Sequence, residues 1–331
     1  MARLAGLQTA IVRGLDAVPQ GIVLCDADGG EIVRNAAAAT FTAARHGDAL
    51  VERAIEEELR AALAGSSSQR QLELFGPPAR VLVITAEPLD GGGAVAVIDD
   101  VSERRRIDAV RRDFVANISH ELKTPVGAIA VLAETLASER EPAVVERLAA
   151  RVTHESERLA RIIDDLLELS RIEATKPAET ARLHVDDLVG AAVQPLRPLA
   201  EARGIRIDGS NAIGGHVVRG DARQLITALS NLIENAVKYS EDGSVVLVRS
   251  SSGGGWVDIE VEDRGVGIPS KDLDRIFERF YRVDAARSRA TGGTGLGLSI
   301  VRHVASNHGG SVTVRSTEGV GSTFTLRVPA A

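Results

Sequence analysis

A histidine, a carboxylate and a hydroxyl group lie within five residues of one another in D-F-V-A-N-I-S-H-E-L-K-T-P, residues 113–125. On one helix surface, His120 could act as a nucleophile, Glu121 as a base and Thr124, one turn further on, as a group that positions water. A lone histidine on a helix usually has no chemical role, so other segments must decide between these interpretations. Apolar residues at every fourth position predict that the segment is a helix that buries one stripe: Val110, Phe114, Ile118 and Leu122.

A second group of polar residues lies on a predicted helix that Asp221 would cap. Asn231, Asn235 and Lys238 are spaced four and three residues apart, so they share one face. An amide oxygen is a suitable ligand for Mg²⁺, and a lysine is a suitable partner for phosphate. The alternative is the polar face of an ordinary surface helix.

A third group, E-D-R-G-V-G-I-P at residues 262–269, follows a predicted strand at 257–261. A carboxylate at a strand end, here Asp263, can accept a hydrogen bond from the amino group of adenine. Gly265 and Gly267 would let the backbone approach the flat base. Taken alone, this glycine pattern is commonly just a turn.

Two further segments complete the set. I-F-E-R-F-Y at 276–281 places three aromatic residues beside an acid–base pair, and a buried amphipathic helix is the alternative. T-G-G-T-G-L-G-L-S-I at 291–300 runs from glycines into helical apolar spacing, so free backbone N–H groups could bind phosphate. It is not a Walker loop, because no G-K-[ST] follows. The polar run before it predicts a mobile lid, with arginines near the phosphates at Arg282, Arg287 and Arg289.

The ordered set of segments, from about Arg104 to the end of the chain, resembles the bacterial two-component sensor histidine kinases. The resemblance is closest to phosphate-responsive sensor kinases of actinobacteria, through R-R-D-F-V-A-N-I-S-H-E-L-K-T-P-V-G-A and A-R-S-R-A-T-G-G-T-G-L-G-L. It implies a protein histidine kinase that phosphorylates itself on His120 with ATP and Mg²⁺. The phosphoryl group then passes to an aspartate of a response regulator, which the kinase could also dephosphorylate.

The same resemblance assigns roles to individual residues. His120, Glu121 and Thr124 would be catalytic: the acceptor, the group that holds the other ring N–H, and the group that orients water. Glu121 would have to curl around the helix, because adjacent helix residues do not face each other. Asn235 would hold the metal. The implied ATP-binding residues are Asn231, Asn235, Lys238, Tyr239, Asp263, Gly265, Gly267, Ile268, Phe280, Thr294, Gly295, Leu296, Gly297 and Leu298.

Two rival functions remain open from the sequence. One is an ATPase of the same fold that hydrolyses ATP without a protein acceptor, although such enzymes activate water with a carboxylate where this chain has Asn231. The other is a dimeric scaffold in which these segments have lost their catalytic role. The intact His120, Glu121, Asn235 and Asp263, with the glycines of residues 291–300, argue against it.

Composition restricts the class of protein and its partners. The 331 residues suggest two or three domains, and 44% hydrophobic with 26% charged residues is typical of a globular chain. A net charge of −7 and few aromatic residues argue against nucleic acid as a partner. Cys25 is the only cysteine, which excludes disulfides within the chain and thiolate metal sites. No apolar run approaches the roughly 18 residues that span a bilayer, so we expect no transmembrane segment in this chain and a cytoplasmic location.

The predicted fold class is multidomain α+β, with three domains. Residues 1–100 would form a PAS-like α/β sensor, 101–175 a dimerisation and histidine phosphotransfer hairpin, and 182–331 a catalytic ATP-binding domain with the Bergerat-type α/β sandwich. The first hairpin helix should be kinked at Pro125 but continue. Two hairpins would pair as a four-helix bundle, so we expect a homodimer.

The N-terminal prediction depends on weaker patterns. A helix at 5–18, a hairpin around D-A-D-G-G, an alanine-rich helix after Asn35 and a three-stranded meander at 70–98 resemble a PAS domain. Cys25 and His46 could in principle hold a cofactor, but a small cysteine in a strand is usually a packing residue. We therefore expect no cofactor in this domain. Residues 174–180 have the composition of a linker.

Overall fold

The computed structural model describes residues 13–41, 46–76, 79–174, 180–209, 214–283 and 293–331. The chain divides into two compact units, Met1–Val115 and Ala116–Ala331. Of the helix predicted at 5–18, residues 13–16 are helical. The other residues of that helix before 13, most of the linker at 174–180, and the side chain of His46 lie outside the described part.

The first unit contains one antiparallel sheet in the order β2-β1-β5-β4-β3. Two helices, α1 and α2, accompany it, and the buried residues of sheet and helices form one apolar core. The bounds are β1 Gly21–Cys25, β2 Glu31–Arg34, α1 Ala36–Ala39, α2 His46–Leu63, β3 Ser68–Leu74, β4 Arg80–Pro88 and β5 Ala94–Asp100.

The hairpin predicted around D-A-D-G-G is present, and it joins β1 to β2. The Asp26 carboxylate accepts the N–H groups of Asp28 (3.0 Å) and Gly30 (2.7 Å), which closes the turn between β1 and β2. Asn35 caps α1 through a hydrogen bond from Ala38 N–H. Cys25 is buried, and its thiol donates to the carbonyl of Ala94 (3.6 Å), as expected of a packing residue. The assignment to the PAS family stays a prediction.

Two long helices form the hairpin, α3 at Ser102–Ser138 and α4 at Pro142–Ala174. As predicted, α3 continues through Pro125, which is buried. On α4, Ile162 is 1% exposed and faces inward, whereas its neighbour Ile163 is 44% exposed. None of the helices in the described ranges combines the length and the apolar character that a membrane span requires.

The C-terminal part of the second unit is an α/β sandwich. Its sheet has the order β11-β12-β10-β9-β7, with only the β7–β9 pair parallel among the described strands. Strand β10 alternates buried and half-buried residues, because helices cover one face. The bounds are β6 Ala181–His184, α5 Val185–Val193, α6 Arg197–Ala202, β7 Arg206–Asp208, β8 Val217–Gly220, α7 Ala222–Tyr239, β9 Val245–Gly253, β10 Trp256–Asp263, α8 Gly297–Asn307, β11 Ser311–Thr317 and β12 Gly321–Pro329.

One alternative from the sequence is wrong. Residues 276–281 form successive turns and not an amphipathic helix. Phe280 has a φ of +63°, outside the right-handed helical region, and its N–H donates to the carbonyl of Gly295 (2.9 Å). That N–H is therefore not used in a helical ladder.

Candidate active site

The four C-terminal sequence segments meet around one cleft of about 580 Å³. The end of α7, the loop after β10, the turns at 276–281 and the start of α8 each supply part of its lining. Most of the residues predicted to bind ATP lie there: Asn231, Asn235, Lys238, Tyr239, Asp263, Gly267, Ile268, Thr294, Gly295, Gly297 and Leu298.

Three of the predicted residues lie elsewhere. Gly265 pairs with Ser240 in an isolated bridge behind the cleft, which joins the loop after β10 to the end of α7. Leu296 is fully buried. Phe280 lines a smaller neighbouring cleft. These residues support the walls of the large cleft and do not line it.

Helix α7 presents its polar face to the cleft because its other face is buried in the domain core. Its N-cap is the predicted Asp221, whose side chain accepts the N–H of Gln224 (3.1 Å). The Asn231 amide donates to the Thr227 carbonyl (2.9 Å). A Cβ at Gly297 would meet the Asn231 amide oxygen, so a larger residue at the start of α8 would displace the Asn231 side chain from its present position.

Glu234 was missed by the sequence analysis, although it stands between the two asparagines. Its carboxylate lies 2.7 Å from the Lys238 ammonium, one turn away on the same face, and it lines the cleft. The i, i+4 spacing of Glu234 and Lys238 was the available signal. The α7 face therefore offers amide and carboxylate oxygens together, which are the donors that Mg²⁺ prefers.

Asp263 is a buried carboxylate at the end of β10. It is 6% exposed, and it accepts the N–H of Ser322 (3.2 Å). Burial raises the pKa of Asp263 to about 6, and hydrogen bonds from the backbone of Ser322 and Gly265 oppose that rise. Near neutral pH the Asp263 carboxylate is therefore mainly ionised. In the wall of the cleft it can accept a hydrogen bond from the exocyclic amino group of a nucleotide base.

Two glycines let the loop after β10 pass close to its neighbours. A Cβ on Gly265 would collide with the carbonyl of Tyr239. Gly267 has a φ of +66°, and a Cβ there would collide with the carbonyl of Thr317. Both positions require glycine for steric reasons. The sequence analysis had assigned these glycines to the base, and the structure shows that they also allow the loop to pack.

Two residues of the hairpin line the same cleft, Arg161 and Asp165 of α4. The hydroxyl of Thr294 donates to the Asp165 carboxylate (2.6 Å). Burial raises the pKa of Asp165, which also faces Glu234 and Lys238. More than a hundred residues separate Asp165 from Thr294, so no local pattern could have identified this contact.

His120 lies exposed on α3. Thr124 donates its hydroxyl to the His120 carbonyl (3.1 Å). The Glu121 carboxylate lies 3.3 Å from the guanidinium of Arg158, which is 7% exposed on α4. Glu121 is thus placed against the second helix of the hairpin, and its predicted hydrogen bond to the His120 ring stays a prediction.

A second cleft brings His120 together with the C-terminal domain. It is lined on the α3 side by Asn117, His120 and Glu121 and on the other side by Arg275, Glu278, Arg279, Phe280 and Tyr281. Of the three predicted lid arginines, Arg282 lines the large cleft. Arg287 and Arg289 lie outside the described residues.

Comparisons with known proteins match the helical hairpin and the C-terminal α/β domain. Residues 110–175 match the family model of the His Kinase A (phospho-acceptor) domain. Residues 220–331 match the model described as histidine kinase-, DNA gyrase B-, and HSP90-like ATPase.

Curated relatives match about 70% of the chain. The sensor-like histidine kinase SenX3 of Mycolicibacterium smegmatis is 51% identical over 71% of this chain and 62% of its own length. SenX3 of Mycobacterium tuberculosis is 47% identical over 72% and 58%. The phosphate regulon sensor protein PhoR of Pseudomonas aeruginosa is 38% identical over 69% and 52%. The chain thus spans less than two thirds of the length of these relatives.

A solved structure resembles nearly the whole chain. The histidine kinase ThkA, solved in complex with the response regulator protein TrrA, aligns with 96% of this chain and 97% of its own at a TM-score of 0.56. The sequence identity is 19%, so this likeness concerns the fold alone.

Proposed function

The chain belongs to the sensor histidine kinases, and from that premise we propose that it phosphorylates His120 with ATP and passes the phosphoryl group to an aspartate of a response regulator. The observation that carries the proposal is the single cleft in which four separate sequence segments meet around a buried carboxylate, Asp263. His120 lies on the hairpin that supplies Arg161 and Asp165 to the same cleft.

The cleft accounts for the binding of ATP. The ionised Asp263 carboxylate accepts a hydrogen bond from the amino group of adenine. The positive charges of Lys238 and Arg282, which line the same cleft, attract the phosphates. Asn235 would hold Mg²⁺ through its amide oxygen, with Glu234 beside it as a further oxygen donor. Mg²⁺, when bound, supplies positive charge to the triphosphate.

The transfer uses the lone pair of one ring nitrogen of a neutral His120. A nitrogen–phosphorus bond forms to the γ-phosphorus while the bond to the bridging oxygen breaks, and the electron pair leaves on ADP. The proton on the other ring nitrogen is lost to solvent. Glu121 would stabilise the positive charge that develops on the ring. To do so, its carboxylate has to leave Arg158 and contact the His120 ring.

Dephosphorylation of the regulator is a further activity that the α3 surface supports. Thr124 lies one turn from His120, and its hydroxyl would have to leave the His120 carbonyl in order to orient a water molecule. A docked phosphoaspartate would lie over the same turn. In this reaction the histidine itself need not be modified.

Pairing of two hairpins is supported by the apolar residues that one hairpin leaves uncovered. Val126 is 52% exposed and Val131 63% exposed on α3. Phe114, Ile118 and Leu122 are only half-buried. A second copy of the hairpin would cover these side chains, so we place the protein as a homodimer.

The sensor domain, the stimulus and the location are assigned from similarity to known proteins. The five-stranded antiparallel sheet of the first unit supports a PAS-like sensor domain. The similarity to the phosphate regulon sensor protein PhoR favours a response to phosphate. A kinase that uses ATP and a response regulator works in the cytoplasm, which is where we place these domains.

Incubation with γ-labelled ATP tests the function directly. We expect acid-labile, alkali-stable label on the protein, which then moves to a response regulator. Free phosphate without labelled protein would indicate an ATPase. Neither product would indicate a scaffold.

A further inference from the structure

Arg161 of α4 is a cation that the helical hairpin contributes to the proposed nucleotide cleft. It lines the cleft together with Lys238 and Arg282 of the C-terminal domain. The Lys238 ammonium lies 2.7 Å from the Glu234 carboxylate, which compensates its charge. Arg161 is exposed, and its guanidinium makes no ion pair or hydrogen bond with any residue that the structure describes. Its donors are therefore available to an anion that enters the cleft.

Arg161 lies between two contacts that the same face of α4 makes. Three residues before it, Arg158 pairs with Glu121 (3.3 Å), the neighbour of the proposed acceptor. Four residues after it, Asp165 accepts a hydrogen bond from the hydroxyl of Thr294 (2.6 Å), in the glycine-rich segment that we assign to the phosphates. Residues spaced three and four apart share one face of a helix. Arg161 thus lies between the phosphate segment and the surroundings of the acceptor.

Further contacts towards the end of α4 hold this helix against the C-terminal domain. They join Glu168 to Arg223 (3.4 Å), the carbonyl of Ile172 to the side-chain amide of Asn307 (2.9 Å), and Glu173 to Arg279. With the bond between Asp165 and Thr294, they extend over about two turns of the helix. The position of Arg161 beside the cleft is therefore set by the packing of the hairpin on the C-terminal domain.

The terminal phosphate is the part of ATP that must face the acceptor. A guanidinium can donate two parallel hydrogen bonds to the oxygens of such a phosphate, with both groups charged. Adenine is assigned to Asp263 at the other part of the cleft wall, so a cation on the acceptor side meets the terminal phosphate. ADP lacks this phosphate and cannot make the contact.

We propose that the guanidinium of Arg161 binds the terminal phosphate of ATP and makes the site selective for ATP over ADP. The inference rests on the proposed function, because it takes the cleft to be the ATP site. The hairpin then recognises the nucleotide that can still donate a phosphoryl group, and the contact is lost once that group has left. ADP is consequently held by the C-terminal domain alone.

Calorimetric titration of the full chain with two nucleotides tests this selectivity. The probes are ADP and the β,γ-imido analogue of ATP, which retains its terminal phosphate, each with Mg²⁺. Arg161→Met keeps an unbranched side chain but removes the charge, so the affinity for the ATP analogue should fall about tenfold. The affinity for ADP should stay within about twofold. A loss for the ATP analogue that is no larger than the loss for ADP overturns the proposal.

Two controls accompany this measurement. Arg151→Met is the matched variant, because Arg151 is an exposed arginine of α4 that does not line the cleft. We expect wild-type affinities from it, and an equal selective loss there would refute the assignment to Arg161. A wild-type chain that binds neither nucleotide contradicts the proposed function itself. Normal wild-type binding with an unselective Arg161→Met variant overturns this inference alone.

Two other substitutions at the same position cover the case in which Arg161→Met folds poorly. Arg161→Gln is also uncharged and suits a helix, so it should show the same selective loss of about tenfold. Arg161→Lys keeps the charge without the planar fork, so its loss should be smaller, about threefold. Wild-type affinity for the ATP analogue in Arg161→Gln, or a larger loss in Arg161→Lys than in Arg161→Gln, overturns the proposal.

Discussion

The proposed nucleotide cleft and the surroundings of His120 differ in structure, although both lie in one compact unit. The cleft is built from distant segments, and its central carboxylate, Asp263, is buried with a pKa raised to about 6. His120 lies exposed on a single helix, beside residues that are its neighbours in sequence. A nucleotide must be enclosed to be recognised, whereas an acceptor must be reached by a nucleotide and then by a second protein.

The two regions also differ in what a substitution would disturb. In the loop after β10, Gly265 and Gly267 have no room for a Cβ, so the shape of the cleft and the packing of the loop depend on the same residues. Around His120, the ion pair of Arg158 and Glu121 joins the two helices of the hairpin, while the His120 side chain itself faces outward. Substitution of His120, the proposed phosphoacceptor, should therefore leave the fold intact, whereas substitution of the two glycines should not.

The largest effect is expected at the acceptor. His120→Gln should abolish acid-labile label, because glutamine has no nucleophilic ring nitrogen, while the calorimetric affinity for ATP stays at the wild-type value. The exposed position predicts no loss of thermal stability. Persistent acid-labile label in this variant would show that another residue is the acceptor.

The next effect is expected within the cleft. Asp263→Ala should weaken ATP binding by about 10- to 100-fold with or without Mg²⁺, the size of one lost charge-assisted hydrogen bond. Asn235→Ala should weaken only the Mg²⁺-dependent part. Titration of both variants with and without the metal measures this difference, and the same loss in both conditions for Asn235→Ala would remove it from the metal site.

A smaller change in ATP affinity is expected when the pH is lowered. Because the pKa of Asp263 is raised to about 6, lowering the pH from about 7.5 to about 5.5 should reduce the ionised fraction, and with it the ATP affinity, about fourfold. Asp263→Asn is the control, since it removes this titration and leaves that of ATP itself. Identical pH profiles for the two proteins would contradict the role of the carboxylate.

The raised pKa of Asp263 also makes the free energy of unfolding depend on pH. The folded protein binds a proton at Asp263 more tightly than the unfolded chain does, so ionisation of this group reduces stability. The reduction is absent below about pH 4 and complete above about pH 6. Asp263→Asn should therefore flatten the pH dependence of the unfolding free energy in this window.

The smallest effect is expected one turn from the acceptor. Thr124→Ala should leave autophosphorylation near the wild-type rate but slow the loss of phosphate from the regulator, because its hydroxyl would orient water and not the γ-phosphate. The hydrogen bond from Thr124 to the His120 carbonyl provides a structural alternative. A parallel fall of both rates on one preparation would support that alternative.

Much of the fold could be predicted from local patterns. The turn at Asp26, the cap at Asp221 and the continuation of α3 through Pro125 are all confirmed. These features depend on residues close together in sequence, so their chemistry can be read directly. The turns at 276–281 could not be predicted, because a hydrogen bond from Phe280 to Gly295, in another segment, decides their backbone.

The sequence by itself determined the kinds of group available: an exposed histidine, an amide and lysine face on α7, and glycines that precede a helix. It determined them because helical spacing and turn chemistry act over a few residues. Only the tertiary structure decided which groups meet. It placed Asp165 against Thr294, set Glu121 against Arg158 and raised the pKa of Asp263. Burial and contacts between distant segments arise only when the chain has packed, so no local pattern encodes them.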